Sequence, residues 1–275
     1  MLFEQAFMSL PEFLTGLPYQ SPDFEGTLLS AFSMAVLQEL NGRNINNPIS
    51  CLRSEVKYRD TTEMRADLHL DLEAMKILTP ELKQYGIYQH NWLEAKYFRL
   101  NINNKPTIDS LKVVLLLLKD IIRLVTLPPE NNISDSKAAR YLLHAYQGDP
   151  KKHIAKKKNT KNNIRGFTRS WATKMQKSGS QTIETLHLKD EVKQLDSVTG
   201  SGLRSLEFQL DIMNFTYEPK VNSEEVFSFY LSRIDDFKIS EDSEWYMRKD
   251  GKITESSAGA MKKINQAVIT GLITS

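Results

Sequence analysis

The chain has 275 residues, of which 40% are hydrophobic and 25% are charged, with a formal net charge of +2. This composition is that of an average globular domain, so it excludes collagen-like, fibrous and disordered proteins. No apolar run approaches the ~20 residues that a membrane-spanning helix needs, and the amino-terminal segment lacks the basic start of a secretory signal. Cys51 is the single cysteine. We therefore expect a cytoplasmic protein with no disulfide, no cysteine-based zinc site and no membrane partner.

The first half of the chain predicts a helix, three strands, a second helix and a fourth strand. Residues 21–42 have helix-start signals followed by apolar residues four apart, and a glycine at the end. Alternating or aromatic-rich segments at 49–58, 65–72 and 90–100 predict the strands. Residues 107–125 carry apolar residues at helical spacing and precede two prolines. The fourth strand is predicted at 140–146.

The second half begins with a basic segment at residues 151–177. It contains ten of the 36 lysines and arginines and no acid, whereas the remaining chain has 26 basic and 34 acidic residues. This segment predicts a loop or short helix that binds a polyanion, and a solvated loop without a partner is the alternative. Within it, Phe167 and Trp171 are four residues apart, which favours a helix fastened to the body over base stacking. Strands at 205–213 and 225–237 and a closing helix at 257–273 follow.

These elements predict an α/β or α+β fold with mixed strand directions. We expect a core over residues 1–150, a basic insertion over 151–180, and carboxy-terminal strands with a closing helix over 181–275 in the same domain.

Charged residues on two of the predicted strands point to a metal site. Side chains two apart on a strand share a face, so Asp67, His69 and Asp71 project together, as do Glu94 and Lys96. Carboxylates in apolar strands are costly to bury without a partner, and Mg²⁺ prefers carboxylate, water and phosphate oxygens. A nearby lysine can orient or deprotonate a water, or neutralise phosphate charge. The alternative is an exposed strand face whose charges pair with neighbours.

Asp67 followed by Glu94, Ala95 and Lys96 on the next strand resembles the PD-(D/E)xK nuclease superfamily, which includes most type II restriction endonucleases. The element order over residues 21–146 also resembles the core of that family, a helix, three strands, a helix and a strand. Ala66 stands where the motif name has proline. The resemblance implies a restriction-endonuclease-like mixed sheet flanked by helices, with an elaborated carboxy-terminal half.

By this resemblance, Asp67, Glu94 and the Ala95 carbonyl would bind Mg²⁺, with Mn²⁺ as a substitute, and Lys96 would act on the attacking water. Three further acids are open candidates for the site: Glu25 on the first predicted helix, Glu55 on the first predicted strand, and Asp71. The expected reaction is hydrolysis of double-stranded DNA, by a homodimer that cuts both strands.

The basic segment would then contact DNA phosphates. The expected contacts are Lys156, Lys157, Lys158, Lys161, Arg165 and Arg169. Two other functions remain open, a nonspecific antiphage or toxin nuclease and a noncatalytic nucleic-acid-binding module with a nuclease-like fold. A separately encoded methyltransferase or defence partner would accompany the restriction function.

Overall fold

A computed structural model describes residues 2–17, 24–58, 64–72, 88–126, 128, 138–154, 167–187, 203–219, 225–241, 244–249 and 252–253. The described helices are α1 (Leu2–Thr15), α2 (Glu25–Gly42), α3 (Ser110–Thr126), α4 (Pro150–Ile154), α5 (Phe167–Lys174) and a 3₁₀ turn (Pro48–Ser50). The described strands are β1 (Leu52–Lys57), β2 (Arg65–Asp71), β3 (His90–Phe98), β4 (Ala138–Gln147), β5 (Gly179–His187), β6 (Leu203–Tyr217), β7 (Phe227–Glu241), β8 (Glu244–Lys249) and β9 (Lys252–Ile253).

The described strands form one mixed sheet. Its main order is β1-β2-β3-β4-β7-β6-β5, with β8 on β7 and β9 on β8. The β3–β4 pair is parallel and every other described pair is antiparallel. A parallel pair needs a crossover connection, and α3 lies in the one between β3 and β4. The carboxy-terminal strand β7 pairs with β4, so both halves of the chain share the sheet.

Apolar side chains from helices cover both faces of the sheet. On one face, residues of α1 and α2 such as Phe7 and Phe32 pack with Leu93 of β3. On the other face, α3 and Trp171 of α5 join a second buried cluster. The fold is therefore a mixed α/β arrangement in which a mixed sheet is flanked by helices, as the sequence predicts at that level. No helix in the described residues is long and apolar enough to cross a membrane.

The six predicted elements of the first half are confirmed, as are the strands predicted at 205–213 and 225–237. Trp171 is buried edge-on against Phe208 of β6, as expected for a helix fastened to the body. The amino-terminal helix α1 and the strands β5, β8 and β9 were not predicted. The start signals at 21–23 and the closing helix at 257–273 lie outside the described residues.

Candidate active site

The candidate site lies where strands β2 and β3 separate. Their pairing ends at Leu68 opposite Leu93, and the next residues towards the site are Asp67 and Glu94. At this point the Asp67 carboxylate replaces a backbone carbonyl as the hydrogen-bond acceptor, because its Oδ2 accepts a hydrogen bond from the Ala95 N–H at 2.6 Å. The Ala95 N–H therefore bonds to a side chain and not to a backbone carbonyl of β2. Strands β2 and β3 separate at the two acidic residues Asp67 and Glu94.

Glu94 points into the interior between β3 and α3. Its carboxylate is fully buried, at 0% exposure. Its Oε1 accepts a hydrogen bond from the Tyr58 hydroxyl, and its Oε2 lies 3.3 Å from Arg123 Nη1 without a hydrogen bond. The rings of Tyr58, Trp92 and His69 form a stacked row, and Tyr58 is the member that contacts this carboxylate.

Lys96, two residues along the same face of β3, joins the site to two helices. Its Nζ lies 3.3 Å from Asp120 Oδ2 on α3 and 3.3 Å from Glu25 Oε1 at the first residue of α2. It also donates a hydrogen bond to the Ala95 carbonyl oxygen. The Lys96 ammonium therefore sits among three oxygen acceptors from three elements, which fixes its position.

The helix α3 contributes a pair of residues that the sequence did not single out. Asp120 and Arg123 lie one turn apart and form an ion pair with a 3.2 Å separation. Arg123 also donates to the Arg65 carbonyl at 2.8 Å, and its guanidinium lies over the Tyr58 ring. These contacts hold Arg123 against Glu94.

The resulting cluster has more negative than positive groups. Among the described residues, its four carboxylates, Glu25, Asp67, Glu94 and Asp120, have two cations in ion-pair contact, Lys96 and Arg123. Full ionisation would leave a formal excess of two negative charges in a largely buried place, which is costly without a further cation.

The pKa values of the cluster follow from this imbalance. Burial and the Asp120 charge raise the pKa of Glu94 well above its ordinary value, and Arg123 offsets only part of the rise. Burial likewise raises the pKa of Asp120 and of Glu25. Burial lowers the pKa of Lys96, but the negative charges of Asp120 and Glu25 raise it by more than burial lowers it. The pKa of Lys96 therefore lies above that of an ordinary lysine. Lys96 is therefore an ammonium group at neutral pH that donates protons in hydrogen bonds.

The donor set fits a hard divalent cation. Glu94 Oε2 and Asp120 Oδ2 are buried, each has a cationic nitrogen no closer than 3.3 Å, and the described cluster has fewer cations than carboxylates. No group of three or more His, Cys, Asp or Glu side chains in the described part of the chain is arranged as a metal site. An ion here would therefore take one or two carboxylates, with water, a backbone carbonyl or substrate phosphate as the other ligands. That is the usual coordination of Mg²⁺ in phosphoryl-transfer sites.

The structure brings together the predicted residues Asp67, Glu94, Ala95 and Lys96. Of the three acids left open, only Glu25 joins them, through Lys96.

The other two acids lie apart from the cluster. Asp71 contacts His90, with Oδ1 and Nδ1 3.6 Å apart. Glu55 is exposed on β1, has a left-handed φ of 52°, and makes no hydrogen bond or ion pair to the cluster among the described residues. The expected DNA contacts Lys156, Lys157, Lys158, Lys161 and Arg165, together with the side chain of Arg169, lie outside what the structure describes.

Sequence reasoning missed Tyr58, Asp120 and Arg123. The available signal was on α3, where Asp120 and Arg123 interrupt a long apolar run at a spacing of three. That spacing places two charges on one face of a helix whose apolar residues are mostly buried.

Comparisons of the chain with protein-family models, with curated proteins and with solved structures found no match.

Proposed function

We propose that this protein is a Mg²⁺-dependent endonuclease that hydrolyses phosphodiester bonds of double-stranded DNA, with a core like that of type II restriction endonucleases. The observation that carries the proposal is the meeting of Asp67, Glu94 and Lys96, from two strands, at the point where those strands separate. The parallel β3–β4 pair with α3 between its strands agrees with the element order of that nuclease core.

In the proposed site, Asp67 on β2 and Glu94 on β3 would hold the metal ion, and the Ala95 carbonyl, next to Glu94 on β3, would be a further ligand. Bound Mg²⁺ supplies Lewis-acid activation of the phosphodiester and of the attacking water. Lys96 is held as an ammonium by Asp120 and Glu25. With substrate bound, the ammonium would exchange one of its three protein acceptors for the attacking water, so that it orients the water and neutralises developing phosphate charge. As an ammonium it cannot accept the proton of that water, which would pass to bulk solvent.

Arg123 favours a second candidate function, a nucleic-acid-binding module without catalysis. Its guanidinium already neutralises Glu94, and Lys96 is paired with Asp120, so the cluster has ion pairs before any metal binds. Such pairing would serve to hold β3 against α3. The two functions differ in what happens to DNA in the presence of Mg²⁺. The nuclease would cut it, and the noncatalytic module would bind it without cutting it.

Plasmid cleavage with and without a chelator tests the proposal. Asp67→Ala, Glu94→Ala and Lys96→Ala should each abolish cleavage while the circular dichroism spectrum is unchanged. Calorimetric titration should show that the carboxylate variants lose Mg²⁺ affinity and that Lys96→Ala keeps it. Glu55→Gln is the matched control, since this acid is exposed and apart from the cluster, and it should cleave normally. DNA binding without cleavage in Mg²⁺ or Mn²⁺ would favour the noncatalytic module.

The proposal extends to assembly and specificity. One core has one site and cuts one strand, so we propose a homodimer whose symmetry matches that of the duplex. Discrete plasmid fragments would support a restriction enzyme, and a smear of random lengths would support a nonspecific antiphage or toxin nuclease. A neighbouring methyltransferase gene would favour restriction.

A further inference from the structure

The outer face of α3 carries a row of cations that leads to the candidate site. Every residue from 112 to 125 is buried except five, which are three or four positions apart and therefore share one face of the helix. These five are Lys112, Leu115, Leu116, Lys119 and Arg123. Three of them are cations and none is an acid. We call the three cations, Lys112, Lys119 and Arg123, the α3 stripe.

One end of the α3 stripe adjoins the cluster. Arg123 lies 3.3 Å from Glu94, and Lys119 is one turn before it on the same face of the helix. Burial and the like charge of Arg123 lower the pKa of Lys119, and Lys96 acts in the same direction, whereas Asp120 and Glu94 raise it. The Lys119 ammonium is therefore within electrostatic reach of both cations and two carboxylates of the cluster.

Two of the three cations have no counter-ion in the described part of the chain. Neither the Lys112 nor the Lys119 ammonium makes an ion pair or a hydrogen bond with a protein group there. Arg123, in contrast, is paired with Glu94 and Asp120. A half-buried ammonium next to other cations is costly without an anion. An anion from outside the protein would therefore be stabilised at Lys119.

The length of the α3 stripe indicates how many anions it can contact. A helix rises 1.5 Å per residue, so Lys112 and Lys119 are about 10 Å apart along the axis of α3. One strand of a DNA duplex has a phosphate every ~3.4 Å along the duplex axis, so the two lysines would contact separate phosphates, about three apart. A strand lying along the stripe would continue past Arg123 to the carboxylates.

We propose that the α3 stripe binds the sugar-phosphate backbone of one DNA strand, with Lys119 on a phosphate beside the one that is cut. The place of the cut rests on the proposed nuclease function, and the backbone binding does not. A lysine ammonium neutralises a phosphate as a point charge and reads no base. The contact would therefore position the strand at the cluster in the same way for every sequence.

The test compares Lys119→Met with Arg43→Met, which removes the same charge. Arg43 is an exposed cation at the end of α2, roughly 27 Å along that helix from Glu25. Anisotropy of a fluorescein-labelled duplex in chelator gives the affinity at a series of salt concentrations. Lys119→Met should reduce the slope of log affinity against log salt by about 0.9, which weakens binding about 8-fold at ~0.1 M salt. Lys112→Met should act similarly, whereas Arg43→Met and Lys119→Arg should keep the wild-type slope.

Duplexes in which one phosphate is replaced by an uncharged methylphosphonate identify the contact. Removing the charge next to the mapped cut should weaken binding by wild type as much as Lys119→Met does, and should not weaken Lys119→Met further. The urea midpoint of Lys119→Met should not fall, because the variant removes a half-buried charge.

Three results separate this inference from its alternatives. A salt slope in Lys119→Met equal to that of Arg43→Met would overturn it. Unchanged duplex affinity with a smaller assembly in sedimentation would assign the face to a second copy of the chain, and would also overturn it. If wild type binds the duplex without ever cutting it while the slope of Lys119→Met still falls, the proposed cleavage is wrong and the backbone binding stands.

Discussion

Replacing Arg123 by methionine tests how the buried carboxylates are held. The variant keeps an apolar stem of similar length and removes the charge that lies 3.3 Å from Glu94 and 3.2 Å from Asp120. It also removes the donor to the Arg65 carbonyl. Removing one partner of a buried ion pair costs about 3–5 kcal/mol, because the other charge stays behind unpaired. We therefore expect Arg123→Met to lose about that much free energy of unfolding at pH 8.

The loss should depend on pH and on metal. Burial raises the pKa of Glu94, and without Arg123 that pKa rises further. A carboxyl group with a raised folded-state pKa binds more protons in the folded than in the unfolded chain, so stability falls as pH rises above the unfolded pKa of ~4.3. The variant should therefore be less destabilised at pH 5 than at pH 8. Mg²⁺ at about 100 times its Kd should restore ~2.7 kcal/mol.

Urea unfolding followed by tryptophan fluorescence measures this, since Trp92 is buried beside the Tyr58 ring. The midpoint should fall by roughly 1–2 M urea. Lys112→Met is the matched control, an exposed cation on the same helix, and it should leave the free energy of unfolding within about 0.5 kcal/mol of wild type. A loss below about 1 kcal/mol in Arg123→Met would refute the claim that this arginine holds Glu94.

Three other outcomes follow from the structure and sequence. Burial lowers the pKa of His144 to about 3, so the contribution of its neutral ring to stability is fully present above pH ~6.5 and is lost as pH falls towards 3. Acid unfolding curves should show this loss in wild type and not in His144→Gln. Gly148→Ala should lower the free energy of unfolding in urea by about 1 kcal/mol or more, because this glycine has a φ of 74°. Neutralising Lys156, Lys157 and Lys158 together should weaken binding to all DNA sequences equally and reduce its salt dependence, as measured by fluorescence anisotropy.

The central part of the fold could be predicted because the spacing of its apolar residues matches the faces that are buried in the structure. In β2, apolar residues alternate with polar ones, and the strand formed with one face buried. In contrast, α1 contains Pro11, which normally interrupts a helix. Its apolar face is explained only by packing, because Phe3 and Phe7 are buried with residues of α2 and the sheet. Such tertiary stabilisation cannot be read from the segment alone.

The same contrast applies to the site. The nearness of Asp67, Glu94 and Lys96 could be predicted because a strand puts alternate residues on one face and because these residues resemble a nuclease motif. Asp120 and Arg123 could not be assigned, since their role depends on how α3 lies across β3 and not on their own spacing. The place of Glu25 depends similarly on the approach of the α2 start to Lys96.

Single-turnover cleavage of plasmid DNA at saturating Mg²⁺, by wild type and by Lys96→Ala, tests the central claim most directly. Wild type should convert supercoiled DNA to linear fragments in Mg²⁺ and leave it intact in chelator. Lys96→Ala should bind DNA and Mg²⁺ normally and cut about 10²–10⁴ times more slowly, because it lacks the group that orients the water and neutralises phosphate charge. A folded Lys96→Ala protein that cuts within a few-fold of the wild-type rate would contradict the account.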